Sequence, residues 1–294
     1  MNINETSLNQ VAKIAIEATL EAGDYISSRF GGDLTISSKS GRPGQDLVTD
    51  VDKTSQKIIE EIICKRFPNH SILGEEDSDD KKTIAEDWVW AIDPIDGTNN
   101  YVNTSQHHAV SVAAMHKGYP MVGVIWVPWA NDSGNGLLMH AVKGCGTWIN
   151  GKRIEIEIDD IKPVRGRLSG LPWLEMGNFK LSKALMSSLG EVRIFGSTAY
   201  ELFMVANGSM QFSLTGFANT WDFAAGILLV EESGGKVLWT NNTNKFEKFT
   251  GWAQPYSNSY DTYKNMREWK GAVLAGSKKL VNYLSKNIKI NISS

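Results

Sequence analysis

The chain has 294 residues, of which 41% are apolar and 21% are charged, and its formal net charge is −3 at pH 7. This composition predicts a globular protein with room for one large core or two tightly joined lobes. The small negative charge leaves no basic footprint for nucleic acid or an anionic membrane, so we expect small-molecule partners and neither of those two.

Cysteine usage and the N-terminal segment favour a cytoplasmic protein. Cys64 and Cys145 are too few for a disulfide framework and lack metal-binding spacing, so each is interpreted as a small buried hydrophobe. Glu5, Glu17 and Glu21 interrupt the apolar residues where a signal peptide would be continuous. The chain contains no apolar run of roughly 18 residues, which a membrane-spanning helix would need.

The first third of the chain predicts two helices separated by a loop. Apolar residues recur at helical spacing from Leu8 to Ile26, which predicts an amphipathic opening helix. The polar, glycine-containing segment 37–45 predicts a mobile loop. A second helix is predicted over 53–67 and ends at Pro68.

Strands follow in the next part of the chain. A short apolar run, 71–73, precedes a series of acids, and the alternation over 108–127, broken at Gly118, predicts two strands of a hairpin. Asn150 and Gly151 form a strong two-residue hairpin signal between two further strands.

The segment from Trp88 to Thr98 carries the strongest chemical signal. Residues 88–92 predict a buried strand that stops at Asp93, because Pro94 cannot donate a ladder hydrogen bond and turns the chain. Asp93 and Asp96 would then lie at the ends of a tight bend, where their carboxylates and the Ile95 carbonyl suit Mg²⁺.

The next two residues suit a phosphate. Gly97 permits close approach of a ligand, and the amides of Gly97 and Thr98 would face an anion if they open a helix. The alternative interpretation is that Asp96 merely caps that helix.

The second half predicts further helices and strands in alternation. Thr198 and Glu201 have capping-box spacing at the start of a helix, and Asp222 precedes an apolar helix that begins at Phe223. Strands over 236–240 and 271–276 and a closing helix over 278–287 follow in the chain. The segment 241–270 shows no clear periodicity, which indicates a functional or poorly ordered stretch. Paired helices with antiparallel hairpins predict layered α/β packing with mixed sheets rather than a simple doubly wound fold.

Three motifs together resemble those of the inositol monophosphatase family of magnesium-dependent, lithium-sensitive phosphatases, and a fourth is similar to its N-terminal signature. They are Asp93-Pro94-Ile95-Asp96-Gly97-Thr98, Gly74-Glu75-Glu76-Asp77, Trp221-Asp222-Phe223-Ala224-Ala225-Gly226, and Asp46-Leu47-Val48-Thr49 with Asp52. The resemblance implies an αβαβα sandwich of the inositol monophosphatase and fructose-1,6-bisphosphatase type. It also implies a homodimer that hydrolyses small phosphate monoesters with two or three Mg²⁺ ions.

On this resemblance the chain is one catalytic unit, 1–294, with two lobes. The lobe over about 1–150 would carry the metal and phosphate motifs, and the lobe over about 151–294 would carry the Trp-Asp motif and the substrate contacts.

The resemblance also assigns roles to individual residues. Metal ligands would be Glu75, Asp93, the Ile95 carbonyl, Asp96 and Asp222, with Asp52 supporting a third metal through water. Glu75 and Thr98 would orient and deprotonate the water on the first metal, with Asp93 bridging the two metals. Phosphate and substrate contacts would come from Gly97, Thr98, Gly196, Thr198, Asn219 and Asp222.

Several of these residues also have a structural interpretation. Asp52 and Asp222 could each cap the helix that follows, and Glu76, Asp77, Asp79 and Asp80 could form a solvated acidic loop. Lys39 lies near a family lysine, but its spacing to Asp46 does not clearly match. His107 and His108 lack metal-binding or acid-partner spacing and are interpreted as structural, as the tryptophans are interpreted as core residues.

The substrate is less defined than the chemistry. Thr215 stands where inositol phosphatases carry an acid, and a single hydroxyl would hold a polyol differently from a carboxylate, while Asn219 could reach a sugar hydroxyl. An inositol-like polyol or sugar phosphate is the first expectation, with histidinol phosphate and fructose 1,6-bisphosphate as alternatives. A non-catalytic regulatory protein on the same scaffold is a third, which the complete set of acids disfavours.

Overall fold

The computed structural model describes residues 5–39, 41, 47–77, 86–130, 136–172, 176–240 and 243–291. The predicted residues Asp46, Asp79 and Asp80 and part of the segment 37–45 lie outside these ranges. The described helices are α1 Glu5–Arg29, α2 Asp50–Arg66, α3 Thr98–Val102, α4 Lys183–Met186, α5 Thr198–Ala206, α6 Thr220–Glu232, α7 Ser259–Glu268 and α8 Lys278–Asn287, with a 3₁₀ turn at Met176–Asn178.

The strands fall into a larger and a smaller sheet and three short pairs. They are β1 Ile36–Ser38, β2 Leu47–Thr49, β3 Ser71–Gly74, β4 Trp88–Asp96, β5 Ala109–His116, β6 Tyr119–Val127, β7 Leu137–Val142, β8 Gly146–Ile149, β9 Lys152–Ile154, β10 Leu168–Gly170, β11 Phe179–Leu181, β12 Glu191–Arg193, β13 Met210–Leu214, β14 Ala218–Asn219, β15 Lys236–Trp239, β16 Glu247–Lys248, β17 Lys270–Gly271, β18 Val273–Gly276 and β19 Ile288–Ile290.

Both sheets are mixed, as predicted. The larger sheet has the order β3-β4-β5-β6-β7-β8-β9, in which β3 and β4 are parallel and the remaining pairs are antiparallel. The smaller sheet has the order β12-β10-β13-β18-β15-β16, in which β10 runs parallel to both of its neighbours. The larger sheet uses strands up to Ile154, and the smaller sheet begins with Leu168.

Three clusters of buried side chains stack the elements into five layers. One cluster packs α1 and α2 against one face of the larger sheet. A second fills the space between the other face and the smaller sheet with α5 and α6. The third covers the outer face of the smaller sheet with α4 and α8. Because a sheet with two apolar faces needs a covering layer on each, this order produces the αβαβα sandwich, which confirms the predicted fold.

Local signals fixed several elements correctly. The β8–β9 hairpin turns at Asn150 and Gly151, whose φ angles are 49° and 73°, as the favoured two-residue turn requires. Strands β5 and β6 meet at Lys117 and Gly118, both also at positive φ. Helix α8 spans 278–287 as predicted.

Other expectations were wrong. Strand β4 does not stop at Asp93 but continues through Pro94 to Asp96, with an irregularity in its pairing to β5. Both cysteines are exposed, because Ile59 and Ile63 fill the buried face of α2 beside Cys64, and Cys145 lies in the turn before β8. Helix α8 does not close the fold, since β19 follows it and pairs with β11.

The segment 241–270, which showed no clear periodicity, contributes ordered structure. Its described part contains β16 and α7. The rings of Phe249, Trp252 and Trp269 pack against Trp239 at centroid distances of 5.0–5.8 Å. Core packing of these aromatic side chains agrees with their interpretation as core residues. None of the helices in the described ranges combines the length and apolarity needed to cross a bilayer.

Candidate active site

A β-bulge in β4 brings two aspartates to the same face of the larger sheet. Asp93 pairs with Ser111 and Asp96 with Ala109, so two residues of β4 face one residue of β5 between those pairs. In a regular strand, side chains three positions apart point to opposite faces. Because of the extra residue, Ile95 packs in the cluster with α1 and α2. Asp96 then returns to the opposite face of the sheet, which packs on α5 and α6.

Asp222 meets Asp93 from the opposite layer. It lies in the first turn of α6, and its Oδ2 accepts a 2.6 Å hydrogen bond from the Asn219 amide. The helix therefore begins at Thr220 with Asn219 as its N-cap, and Asp222 lies inside the first turn rather than at the cap position. A carboxylate at this end of a helix is favoured by the free amides there.

Glu75 completes a group of three carboxylates. It follows β3, whose parallel pairing with β4 brings the two strand ends together, and its amide donates to the Ile92 carbonyl at 3.0 Å. One oxygen from each of Glu75, Asp93 and Asp222 lies within 4.8 Å of the other two. These oxygens come from three separate parts of the chain and lie close enough together to bind one cation.

The electrostatics of this carboxylate cluster, Glu75, Asp93 and Asp222, favour a cation. Burial raises the pKa of Asp93 well above its usual range, and Glu75, Asp96 and Asp222 raise it further. The pKa of Asp222 is also raised well above its usual range, mainly by burial and then by the charges of Asp96 and Glu75. Without a cation such groups retain protons, whereas a divalent ion would stabilise their ionised forms.

Asp96 lies beside the carboxylate cluster but outside its 4.8 Å group. Its Oδ2 accepts a 2.8 Å hydrogen bond from the Ser197 hydroxyl and another from the Ala199 amide at the start of α5. Burial raises the pKa of Asp96 to about 7 despite these hydrogen bonds. In this conformation Asp96 thus connects β4 to α5, and its role as a metal ligand stays a prediction.

Asp52 and Thr98 are linked directly. The Thr98 hydroxyl lies 2.9 Å from Asp52 Oδ1 and 3.1 Å from the Ile95 carbonyl oxygen. Asp52 Oδ2 accepts hydrogen bonds from the amide and the hydroxyl of Thr49, at 2.9 and 2.5 Å. Thr49 is therefore the N-cap of α2, which begins three residues earlier than predicted, and Asp52 closes its capping box. Burial raises the pKa of Asp52.

Gly97 forms the tight connection between β4 and α3. Its φ is +92°, and a side chain there would put Cβ 3.0 Å from the His107 carbonyl oxygen and 3.1 Å from Ser197 Cβ. Only glycine fits this backbone conformation without strain. The residue is needed to close the site, whatever its amide binds.

Lys39, whose spacing to Asp46 gave no clear match to the family lysine, contacts the site. Its Nζ lies 2.7 Å from both Glu75 Oε1 and Glu76 Oε1. Burial alone would lower the pKa of Lys39, but Glu75 and Glu76 outweigh that effect and raise it. A lysine within the polar segment 37–45 was the available signal, but only the folded chain reveals its partners.

The interpretation of Glu76 and Asp77 as solvated acids was wrong. The Glu76 side chain is 6% exposed, and burial raises its pKa to about 7. Asp77 accepts hydrogen bonds from the Gly74 amide and the Gln56 side chain, both at 3.0 Å. These two acids fix the loop that carries Glu75.

Arg267 of α7 also contacts the site, although no motif in the sequence marks it. Its guanidinium donates to the carbonyls of Gly74 and Asp77, at 2.9 and 3.1 Å, on either side of Glu75. The same group lies 5.4 Å from the centroid of the Trp221 ring, adjacent to Asp222. The segment 241–270 therefore supports two of the three carboxylates from outside the site.

A cavity of about 220 Å³ opens beside Asp96 and α6. Gly196 and Thr198 line it, as does Thr215. The Thr215 hydroxyl, expected to face a substrate, instead pairs with the backbone of Val273, at 3.1 Å to its oxygen and 3.2 Å from its amide. Asn219 is not among the described lining residues and pairs with Lys270 in the β14–β17 ladder.

The two histidines next to α3 have structural surroundings. His108 is buried against Phe30 and Tyr101, its Nδ1 lies 3.0 Å from the Ser105 carbonyl oxygen, and burial lowers its pKa to about 4. His107 is exposed and lies with its ring 5.0 Å from that of Phe195. Neither belongs to the described carboxylate cluster.

Comparison with known proteins gives a consistent result. The model of the inositol monophosphatase family matches residues 7–274. Nus factor SuhB of Pasteurella multocida strain Pm70 is 34% identical over 247 residues, covering 81% of this chain and 88% of that protein. Inositol-1-monophosphatase of Bacillus subtilis strain 168 is 33% identical over 251 residues, covering 84% and 89%. The crystal structure of extragenic suppressor protein suhB from Bartonella henselae superposes with a TM-score of 0.72 at 26% identity, covering 95% and 98%.

Proposed function

Because the chain belongs to the inositol monophosphatase family, we propose that it is a Mg²⁺-dependent phosphatase of small phosphate monoesters. The family relation alone suggests polyol phosphates resembling inositol 1-phosphate and sugar phosphates as the first candidate substrates. The single observation that carries the proposal is the convergence of Glu75, Asp93 and Asp222 within 4.8 Å, with both aspartates buried and Glu75 partly buried. Buried like charges at this distance are stable together only with protons or a cation between them.

The donor set fits magnesium. All three members of the carboxylate cluster offer hard oxygen ligands, which Mg²⁺ prefers over nitrogen or sulfur. Asp96, the Ile95 carbonyl and, through water, Asp52 would complete the ligand set for two or three ions. When bound, the ions would activate a water and neutralise the charge of the transferred phosphoryl group.

The chain's own residues would orient the reacting groups. Asp52 and the Ile95 carbonyl fix the position of the Thr98 hydroxyl. Together with Glu75, this hydroxyl would orient a water and accept its proton. The amides of Gly97 and Thr98 would support the phosphate oxygens. Gly196, Thr198 and Asn219 would contact the alcohol part of the substrate.

The test is phosphate release by the purified protein with Mg²⁺ and with EDTA, on a panel of polyol, sugar and nucleoside phosphates. Asp93→Asn keeps the shape of the side chain but removes its charge, so it should reduce kcat by at least about 10³-fold if charge stabilisation is lost. Asp24→Asn is the matched control, since Asp24 is an exposed residue of α1. Full turnover in EDTA or by Asp93→Asn would refute the proposal.

A non-catalytic regulatory role is the competing hypothesis, because one similar protein carries the name Nus factor SuhB. It predicts no phosphate release from any substrate of the panel under Mg²⁺. The buried carboxylate cluster favours catalysis, since a protein that only binds a partner has no need for a costly concentration of buried charge.

Three further features of the family belong to the same proposal: a cytoplasmic location, a homodimer and inhibition by lithium. Sedimentation at equilibrium tests the homodimer, and a mass of 32.5 kDa in solution would contradict it. Two lobes within one catalytic unit are proposed on the division between the two sheets. Limited proteolysis between Ile154 and Leu168 would show whether either lobe remains folded alone.

A further inference from the structure

The cavity beside Asp96 is where the alcohol part of a bound phosphate monoester would lie. Ser197, which lines it, donates a hydrogen bond to Asp96, and Ala218, which also lines it, precedes the N-cap of the helix that carries Asp222. A monoester whose phosphate contacts the carboxylate cluster would therefore direct its alcohol into this space. The inference that follows rests on the proposed phosphatase function.

Most polar side chains of the cavity already have partners in the protein. The Thr215 hydroxyl pairs with Val273, and the Ser197 hydroxyl donates to Asp96 and accepts from the Tyr200 amide. The carboxyl of Glu201 accepts hydrogen bonds from the Ser213 hydroxyl and from the Phe195 amide. These groups have hydrogen-bond partners without a ligand. A polyol that enters the cavity would therefore give up its hydrogen bonds with water and form few new ones with these side chains.

Apolar side chains contribute much of the rest of the described lining. Leu171, Pro172, Ile194, Leu214 and Phe217 all line the cavity. Ile194 is 52% exposed, and Phe217 is only partly buried against Phe179, with ring centroids 6.2 Å apart. Both side chains therefore expose apolar surface that a ligand in the cavity could bury.

We propose that the cavity selects phosphate monoesters whose alcohol carries an apolar face, in preference to polyol phosphates with hydroxyls on every side. Ile194 and Phe217 would contact that face, and the Thr198 hydroxyl would remain for one hydrogen bond. The alcohol's apolar face enters the cavity while its phosphate lies against the carboxylate cluster.

The experiment compares two primary alkyl monoesters, 2-phenylethyl phosphate and glycerol 3-phosphate, with myo-inositol 1-phosphate as the polyol reference. Their similar leaving groups make kcat/KM a measure of cavity contacts rather than of intrinsic reactivity. We expect kcat/KM for 2-phenylethyl phosphate to exceed both others by about tenfold, because contact with a ring buries apolar surface.

Variants separate the cavity from general effects. Ile194→Ser and Phe217→Ser should each lower kcat/KM for 2-phenylethyl phosphate by about threefold to tenfold, with little effect on glycerol 3-phosphate. Ile161→Ser is the matched control, since Ile161 is 62% exposed and is not a lining residue. The exposure of Ile194 makes its variant the one least prone to misfolding.

Each outcome is decisive. Faster turnover of glycerol 3-phosphate or inositol 1-phosphate than of 2-phenylethyl phosphate would overturn the inference and leave the phosphatase proposal intact. An equal loss in Ile194→Ser and Ile161→Ser would also overturn it. No release from any substrate would refute the proposed function itself.

Discussion

Removing one charge from the carboxylate cluster should stabilise the metal-free protein while weakening its response to Mg²⁺. Asp93→Asn is the sharpest perturbation, because Asp93 is 1% exposed and has Glu75 and Asp222 as close neighbours. Asparagine retains the side-chain oxygen that accepts a 3.1 Å hydrogen bond from the Ile95 amide. The substitution therefore changes the charge with little change in packing.

The magnitude follows from the geometry. At the 4.8 Å that bounds the cluster, two ionised carboxylates repel by about 3–4 kcal/mol for an effective dielectric constant of about 20. Protonation of the folded cluster relieves part of this repulsion, at about 1.4 kcal/mol per pH unit. At pH 8 we therefore expect Asp93→Asn to be more stable than wild type by about 2 kcal/mol in the absence of metal. For a chain of 294 residues, whose unfolding entropy is about 0.6 kcal/mol/K, that raises Tm by roughly 3 °C.

The pH dependence has a definite sign. The pKa of Asp93 is higher in the folded protein than in the unfolded chain. The free energy of unfolding therefore falls as the pH rises from the unfolded pKa through the folded one. In EDTA, wild type should lose stability with rising pH over that range, and Asp93→Asn should lose less. In the wild type, Mg²⁺ at about 100 times its Kd should add about 2.7 kcal/mol, but the variant should gain far less.

Thermal unfolding in EDTA and in Mg²⁺ at pH 6 and pH 8 provides the measurement. Asp24→Asn, on the exposed face of α1, should match wild type in all four conditions. The prediction would be wrong if Asp93→Asn melted at or below the wild-type Tm in EDTA at pH 8, or if it responded to Mg²⁺ as wild type does. Repulsion among these carboxylates would then not destabilise the metal-free protein.

Three further predictions concern other parts of the molecule. Burial raises the pKa of Glu201 to about 7 from 4.5, so wild-type stability should fall between pH 5 and 8, and Glu201→Gln should reduce that fall by up to about 3 kcal/mol in urea unfolding. Gly123→Ala would put Cβ 2.7 Å from the Ala225 carbonyl oxygen of α6 and should cost about 1–3 kcal/mol in urea unfolding. Gly177→Ala, whose Cβ meets no atom of the described residues within 4 Å, should be neutral in the same assay. Arg267→Lys removes the guanidinium that donates to two carbonyls, so Mg²⁺ should raise Tm less than in wild type at equal concentration. An unchanged dependence of Tm on Mg²⁺ concentration would show that Glu75 needs no such support.

The sequence predicted those features that depend on neighbouring residues. The hairpin at Asn150 and Gly151 follows from their tolerance of positive φ, and α8 follows from its apolar spacing. The acids Glu75, Asp93 and Asp222 were predicted by their motifs, and the fold brings them together.

Features that depend on distant residues could not be predicted in this way. The bulge at Pro94 is defined by β5, whose register is not visible in the local sequence, so the strand was expected to end at Asp93. Thr215 was expected to face a substrate, but its hydroxyl donates a hydrogen bond to the Val273 carbonyl. Arg267 donates a hydrogen bond to the Gly74 carbonyl, in a loop far away in the sequence. Cys64 follows Ile63 on α2, and only the packing of that helix shows that it faces solvent.

The route of the chain through the central layer has a consequence for folding. Glu75 and Asp93 depend on the ladder between β3 and β4, whereas Asp222 arrives with α6, which packs between the two sheets. Contacts between segments so far apart in sequence form late, because the intervening chain must first be ordered. On refolding from urea, helical signal should therefore recover before phosphatase activity, and the delay would measure the closing of α6 onto the larger sheet.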